Sequence, residues 1–344
     1  MPDNPRQPED LLVGGDATKA EDREQPGIAS DDLAKLFFER FEPHHLFFKM
    51  HLLLAHYRDA ETFVPSFCES DLPLTDQNMK DLAEGFRRFV KVETHFMYFQ
   101  MIELLFQLLF VVAHYPIEEI WPALTFTNDR RSRYYMPIYR LIRAYGEGTL
   151  DDPKMAGSVR LIDQDSGKEY RLPLVAVRIY DHWLTQIPHE KLCASGRNIE
   201  ELLRIFAQDF STRGAYNAYK HALRFVGGFS VSRAKETEGR TTFEQSWDPK
   251  STLTYLRRTS RLGQSAEDQE ALELVTRKLD FYRDWRCCEM IYKLITTTMT
   301  TRTPYILKDW GVQPAAVALF DKVVPGDYAI CVEIAHGMSR STSP

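Results

Sequence analysis

The sequence predicts a mainly α protein, a single-domain helical bundle with a β-hairpin excursion and irregular connectors. Apolar residues recur at helical spacing through most of the chain, and one predicted helix is apolar on nearly every face. Residues 158–173 instead show two strand-like stretches around a turn. We expect residues 1–29 to be a disordered acidic, proline-rich tail and residues 30–344 to form the domain.

The expected helices have recognisable starts and stops. Pro43 separates the first two helices. The longest helix is capped by Thr75 or Asp76 and ended by Pro116, and Asn198 and Ser265 suit the starts of two later helices. The helices are expected at 31–42, 44–59, 77–115, 136–144, 174–186, 198–225, 265–300 and 314–322. The connectors are expected at 60–74, 121–128 and 229–262, the last with room for another hairpin, and an extended piece at 327–334.

Composition restricts the class of protein. The chain has 344 residues, of which 44% are hydrophobic and 27% charged, which is typical of a globular domain. Its net charge of −6 argues against non-specific coating of nucleic acid or anionic membrane. Five cysteines without framework spacing indicate reduced thiols, and residues 1–29 lack a signal-peptide pattern, so we expect a cytoplasmic protein.

The predicted helix 77–115 carries one polar stripe. At about 100° per residue, its members fall within an arc of roughly 80°; they are Glu93, Gln100, Glu103, Gln107 and His114. Because a carboxylate is costly inside a bilayer, we predict a helix buried in a protein core and no membrane segment. The stripe is either a narrow solvent-facing strip or the lining of an internal cleft, with Glu93 and Glu103 as acid, base or orienting groups.

A second set of candidate residues lies near the end of the predicted helix 198–225. Asn217 and His221 are four residues apart and therefore share a helix face. A histidine suits proton transfer near neutral pH. Cations that suit phosphate and tyrosines that suit stacking flank the pair: Arg213, Tyr216, Tyr219, Lys220 and Arg224. The alternative is a buried Asn–His pair that fixes helix packing.

The stretch from Tyr216 to His221 resembles the signature helix of HEPN-type proteins, a helical-bundle superfamily rich in ribonucleases. The family pattern is an arginine, a polar residue, a few further residues and a histidine. Asn217 and His221 match it, Tyr216 stands at the arginine position, and Arg213 lies one turn earlier on the same face. The resemblance implies metal-independent RNA cleavage at a composite site across a homodimer, with Glu93 or Glu103 as an accessory group.

Basic and aromatic residues interleave in two further stretches. The denser one contains Arg130, Arg131, Arg133, Tyr134, Tyr135, Tyr139, Arg140 and Arg143. The other contains Tyr255, Arg257, Arg258 and Arg261. Either could hold single-stranded RNA by neutralising phosphates and stacking on bases. The alternative is that these side chains cover apolar surface and pair with acidic residues.

The sequence predicts no metal and no cofactor. C-x-x-C, phosphate-loop and dinucleotide-binding motifs are absent from it. The histidines at 44, 45, 51 and 56 lack accompanying carboxylates at ligand spacing, apart from Glu42. The run from Asp163 to Gly167 resembles the start of a calcium loop, but its glycine is one place early and the acidic twelfth position is missing.

These features favour a HEPN-like RNA-binding protein or metal-independent endoribonuclease. His221 is then the general acid or base, Asn217 orients it, and Arg213 stabilises phosphate charge. Two alternatives from other classes stay open. One is a non-catalytic helical protein-interaction module, and the other is a small-molecule enzyme that uses the polar stripe between Glu93 and His114.

Overall fold

The structure is a computed structural model that describes residues 30–40, 42–67, 75–163, 166–211, 216, 225–227, 231–237, 240–259, 271–303, 318–320 and 333–337. The fold is mainly α, as predicted. The helices are α1 (Ser30–Arg40), α2 (His44–Arg58), α3 (Ala60–Phe67), α4 (Asp76–His114), α5 (Ile120–Phe126), α6 (Ile138–Glu147), α7 (Leu174–Tyr180), α8 (His189–Ser211) and α9 (Phe281–Thr300). Short 3₁₀ turns lie at Ile117–Glu119, Asp181–Thr185 and Pro249–Ser251.

The N-terminal helices confirm the local signals in the sequence. Pro43 lies between α1 and α2, and the Thr75 side chain caps α4 by accepting from the Asn78 backbone N–H at 3.3 Å. The helix then runs to His114, and Pro116 follows it. Such caps and breaks act through neighbouring residues only, so the sequence alone locates them well.

Two segments predicted as a loop and as turns are helical instead. Helix α3 contains Pro65, which removes one backbone hydrogen bond, but Ala60 and Val64 are buried against Ala83 of α4. Helix α5 likewise buries Ile120 and Ala123 in the main core. Burial of one apolar face therefore outweighs weak local helix signals in both segments.

The middle of the chain contains the predicted hairpin. Strands β1 (Ser158–Ile162) and β2 (Glu169–Pro173) pair antiparallel, with Ser158 opposite Pro173. Helix α6 ends at Gly148, which adopts the left-handed conformation (φ 68°) that terminates helices. Helix α7 follows β2 directly but ends at Tyr180, six residues earlier than predicted at 186, and passes into the 3₁₀ turn.

Helix α8 differs at both ends from the prediction of 198–225. It begins at His189, so Asn198 is not its cap; the Asn198 side-chain amide donates to the backbone carbonyl of Phe320 instead. At the other end, residues 225–227 are a strand, β3 (Phe225–Gly227). The second hairpin allowed for in 229–262 is present as β4 (Val231–Thr237) and β5 (Arg240–Trp247).

A four-stranded antiparallel sheet was not predicted. Its order is β3, β6 (Thr252–Thr259), β7 (Ala271–Lys278) and β8 (Glu333–Gly337). The helix predicted from Ser265 is wrong over 271–278, because that stretch pairs with β6 on one side and β8 on the other. Helix α9 starts only at Phe281, where the Asp280 side chain accepts from the Arg283 N–H. Residues 318–320, within the short helix predicted at 314–322, are not helical.

Helix α4 is the centre of the core. It packs against α2, α3, α5, α6, α7, α8 and α9, and its stretch from Val90 to Ala113 contributes more residues to the main buried cluster than any other described helix does. Among the described helices, α4 is the one long and apolar enough to cross a membrane, but 78% of its apolar window is buried within the protein. That degree of burial also fits the core helix that the sequence predicts.

Candidate functional site

Most of the predicted site lies outside the described residues. Arg213, Asn217, Tyr219, Lys220, His221 and Arg224 belong to this undescribed group. Five predicted residues are described, and four of them lie on two helices. Glu93 and Glu103 are half-buried on α4, Tyr216 is buried, and Arg140 and Arg143 are exposed on α6.

Tyr216 joins the candidate segment to the polar stripe of α4. It is 2% exposed, and its hydroxyl donates to Glu103 Oε2 at 3.3 Å. Its ring stacks on Phe99, with centroids 5.7 Å apart and an interplanar angle of 16°. A buried ring cannot stack on a nucleic-acid base, so the binding role predicted for Tyr216 is corrected to an anchoring role.

The same residue also connects the segment to the arginine-bearing helix. Phe210 of α8 lies 6.4 Å from the Tyr216 ring and is stacked at 5.7 Å and 15° against Tyr139 of α6. Arg140, which follows Tyr139, and Arg143 are exposed on that helix. The structure therefore brings the α4 stripe, Tyr216 and α6, which the sequence predicts as separate features, around one aromatic cluster.

In the denser arginine and tyrosine stretch, some of the described side chains are paired or buried and others are exposed. Arg143 Nε donates to Glu147 Oε1 at 2.7 Å, and Arg133 pairs with Glu119 at 3.0 Å. The Tyr134 ring is buried, whereas Arg140 is exposed. Part of this stretch therefore covers the protein's own surface or pairs with acidic side chains, and Arg140 presents positive charge to solvent.

In the second arginine and tyrosine stretch, the tyrosine side chain is not accessible to a ligand. Tyr255 is 1% exposed within β6 and pairs in register with Val275 of β7. Stacking on a base requires an accessible ring, so the prediction that Tyr255 contributes to RNA binding is wrong.

The polar stripe is neither fully exposed nor fully enclosed. Gln100 is exposed, whereas Glu93, Glu103, Gln107 and His114 are half-buried. His114 Nε2 donates to Asp152 Oδ2 at 2.8 Å, and its ring stacks on Phe110 at 4.2 Å. At this end of the stripe the polar group holds the chain that follows α6 against α4.

A buried ionic network beside the stripe was missed by the sequence analysis. Asp209 of α8 accepts from the Tyr98 hydroxyl at 2.7 Å and from the Arg283 guanidinium. Arg283 also donates to Asp284 Oδ1 at 2.9 Å, and His95 Nδ1 donates to Asp284 Oδ2 at 2.6 Å. The network thereby ties α4, α8 and α9 together in the core.

The charges around His95 and Asp284 shift the pKa values of both side chains. Burial lowers the pKa of His95, and the nearby guanidinium groups of Arg277 and Arg283 lower it further against the opposing Asp284 carboxylate. Burial alone would raise the pKa of Asp284, but His95 and Arg283 hold it below its usual value. Because a carboxylate only accepts, the His95 nitrogen that faces it, Nδ1, carries a proton.

The His95–Asp284 pair has the hydrogen-bonding pattern of a base and its orienting group, but it is buried away from solvent and from any ligand. The His95 side chain is 0% exposed and that of Asp284 2%. His95 Nε2 is buried and has no hydrogen-bond partner within the described part of the chain. The pair therefore serves the packing of the helices.

One sequence signal could have revealed the network. Asp284 lies on the same helix face as Cys287, Cys288 and Ile291, which are all buried apolar side chains of α9. Asp209 is similarly placed between Phe206 and Phe210 of α8. A charged residue inside an apolar stripe implies a buried partner, although the sequence does not say which one.

Over the described ranges, no group of three or more His, Cys, Asp or Glu side chains is arranged to hold a metal ion.

No protein-family profile, curated protein or solved structure matches this chain.

Proposed function

We propose that this chain is a HEPN-like RNA-binding protein that cleaves RNA without a metal, at a site formed by the 213–224 segment on the face of α4 and α6. The observation that carries the proposal is the position of Tyr216. Its hydroxyl contacts Glu103, and its ring contacts Phe210, which stacks on Tyr139 beside Arg140. The residue next to Asn217 thus lies between an acidic group and a positively charged helix.

The proposed roles follow from the chemistry of each side chain. His221 transfers protons, Asn217 orients it, and Arg213 stabilises charge on the phosphoryl oxygens. Glu103 positions the segment through Tyr216, and Glu93 is a further acidic group along the same stripe. The remaining residues neutralise the RNA backbone or stack on a base; they are Lys220, Arg224, Arg140, Arg143 and Tyr219.

The proposed reaction is an internal transesterification. The 2′-oxygen of a ribose forms a bond to the adjacent phosphorus, and the bond from phosphorus to the 5′-oxygen of the next nucleotide breaks. A base accepts the proton of the 2′-hydroxyl, and an acid gives a proton to the departing 5′-oxygen. The products are a 2′,3′-cyclic phosphate and a free 5′-hydroxyl, and His221 supplies at least one of the two proton transfers.

The acid and base can come from two copies of the chain. A single His221 cannot accept and donate a proton on opposite sides of one phosphorus at the same moment. A homodimer that places two copies of the segment face to face supplies two histidines, which is the arrangement that the resemblance implies.

The catalytic proposal is tested by His221→Ala in a cleavage assay on mixed single-stranded RNA with a chelator present. We expect loss of about 10²- to 10⁴-fold in rate, the usual contribution of a positioned acid or base. The matched control is His45→Ala, which removes an exposed histidine of α2 that bonds only the Glu42 carbonyl in its described contacts. Equal rates for wild type and His221→Ala would overturn the catalytic proposal.

Binding is tested separately by titrating labelled single-stranded RNA across salt concentrations. Four phosphate-contacting cations, Lys220, Arg224, Arg140 and Arg143, give an expected slope of log K against log salt of about −3. Arg140→Gln should make the slope shallower by about 0.7, whereas Arg160→Gln on the β-hairpin should leave it unchanged. RNA affinity that is absent or independent of salt would favour the alternative, a protein-interaction module.

A further inference from the structure

A small pocket lies at the C-terminal end of α4, and Tyr216 does not line it. Its volume is about 180 Å³, which is smaller than the pockets that bind drug-sized molecules. Part of its wall is aliphatic and comes from α4, α5, α7 and the 3₁₀ turn after α4: Val112, Ile117, Ile120 and Val177. A ligand of this pocket must therefore be small, and an aliphatic group on it would contact this part of the wall.

The charged part of the wall includes a fixed guanidinium. The side chain of Arg302, just after α9, is 5% exposed and donates to the carbonyl of Thr298 at 2.6 Å and to that of Arg178. Its Nη2 lies 3.6 Å from Asp181 Oδ2. Arg302 thus contributes a permanent positive charge and keeps the Asp181 carboxylate beside it.

The backbone conformation of Asp181 is unusual for a residue other than glycine. It has φ 45° and ψ −120°, and it is the single described non-glycine residue with a positive φ. Glycine adopts this conformation without strain, whereas a residue with a Cβ does not. Its side chain is 38% exposed, so a carboxylate is held at the pocket in a position that the backbone disfavours.

Arg178 provides the second cation of the pocket. It is half-buried on α7, and its Nε donates to the carbonyl of Lys154 at 3.3 Å. The two Nη groups of any guanidinium carry four further N–H donors, which match the two oxygens of a carboxylate. The pocket therefore combines a carboxylate-binding group, a carboxylate of its own and an aliphatic wall.

We propose that this pocket binds a small aliphatic α-amino acid. The ligand's carboxylate pairs with Arg178, its ammonium group with Asp181, and its side chain packs on the aliphatic wall. A simple carboxylate would meet repulsion from Asp181, and a simple amine would meet repulsion from the two guanidinium groups. The zwitterion satisfies both signs of charge, and the site is independent of the proposed action on RNA.

The test is calorimetric titration of the full-length protein with L-leucine and three analogues that each lack one group. These are 4-methylpentanoate, without the ammonium; isoamylamine, without the carboxylate; and glycine, without the aliphatic side chain. We expect saturable binding of leucine and affinities weaker by at least about tenfold for the charge-deleted analogues, since each loses a charge-assisted interaction. Glycine should bind more weakly because it buries no apolar side chain.

Asp181→Asn removes the charge of the proposed ammonium partner while keeping its shape and its tolerance of a positive φ. It should weaken leucine binding by at least about tenfold, while the exposed control Arg160→Gln should not. No saturable binding of leucine to wild type, or equal binding of 4-methylpentanoate, would overturn the proposal. The analogue series uses wild type alone, so it decides the question even if the Asp181 variant does not fold.

Discussion

Replacement of Asp209 by asparagine should destabilise this protein far more than the same change at a surface acid. The Asp209 carboxylate is completely buried and accepts from Tyr98 and from Arg283. Asparagine has nearly the same size, and its amide oxygen can still accept from Tyr98. The Arg283 guanidinium, however, then loses one of its two described carboxylate partners and keeps Asp284.

The size of the effect follows from burial. Removal of one partner from a buried ion pair costs about 3–5 kcal/mol, because the remaining charge stays desolvated. Asp284 still balances Arg283, so we expect about 3 kcal/mol. The control is Glu147→Gln, which breaks the 2.7 Å bridge to Arg143 on α6, where the two side chains are 48% and 67% exposed. Such a pair contributes at most about 0.5 kcal/mol.

The assay is urea unfolding followed by fluorescence of the five tryptophans. The loss of unfolding free energy should be at least about sixfold larger for Asp209→Asn than for Glu147→Gln. Tyr98→Phe should cost about 1.5–3 kcal/mol, and less than that in the Asp209→Asn background, because both changes affect one network. Equal losses for the two acid-to-amide variants would refute the account of the network.

Three further predictions follow from single contacts. Burial lowers the pKa of His95, so on acidification the unfolded chain binds a proton more readily than the folded chain does. The stability of the fold should therefore decrease as the pH falls below about 6.5. In thermal unfolding, His95→Asn should lose that part of the pH dependence. Gly146→Ala should lower the free energy of unfolding by about 1–3 kcal/mol, because the new Cβ would lie 3.0 Å from the backbone of Ala207. Gly85→Ala has open space around it and should raise the free energy of unfolding by about 0.5–1 kcal/mol. Urea unfolding measures both changes. Tyr216→Phe, which removes the hydroxyl bonded to Glu103, should lower the rate of RNA cleavage and leave salt-dependent RNA affinity unchanged; an unchanged rate would contradict the anchoring role.

The sequence predicts this fold well where the signals are local. Thr75 caps α4, Pro116 follows its end, and a turn around Gly167 separates the strands of the first hairpin. Each feature depends on residues within a few positions of one another. The mainly α class follows from these local signals.

The prediction failed where pairing is distant. Residues 271–278 carry apolar residues at spacings that suit either a helix or a strand, and their partner β8 lies at 333–337. The local pattern contains no information about that partner. The early start of α8 at His189 likewise depends on contacts of its first turns with β2 and α7.

The candidate site shows the same division. The spacing of Asn217 and His221 is visible in the sequence, but the contact of Tyr216 with Glu103 spans 113 positions and is not. The bond between His95 and Asp284 spans 189 positions. Sequence reasoning therefore found candidate residues, and the fold is needed to say which of them meet.

The most direct test of the central claim is product analysis after incubation of the wild-type protein with single-stranded RNA and with DNA of the same sequence, in the presence of a chelator. The account predicts RNA fragments that end in a 2′,3′-cyclic phosphate and intact DNA, because the attacking 2′-hydroxyl is present in RNA alone. RNA that stays intact, or cleavage of both nucleic acids at equal rates, would contradict it.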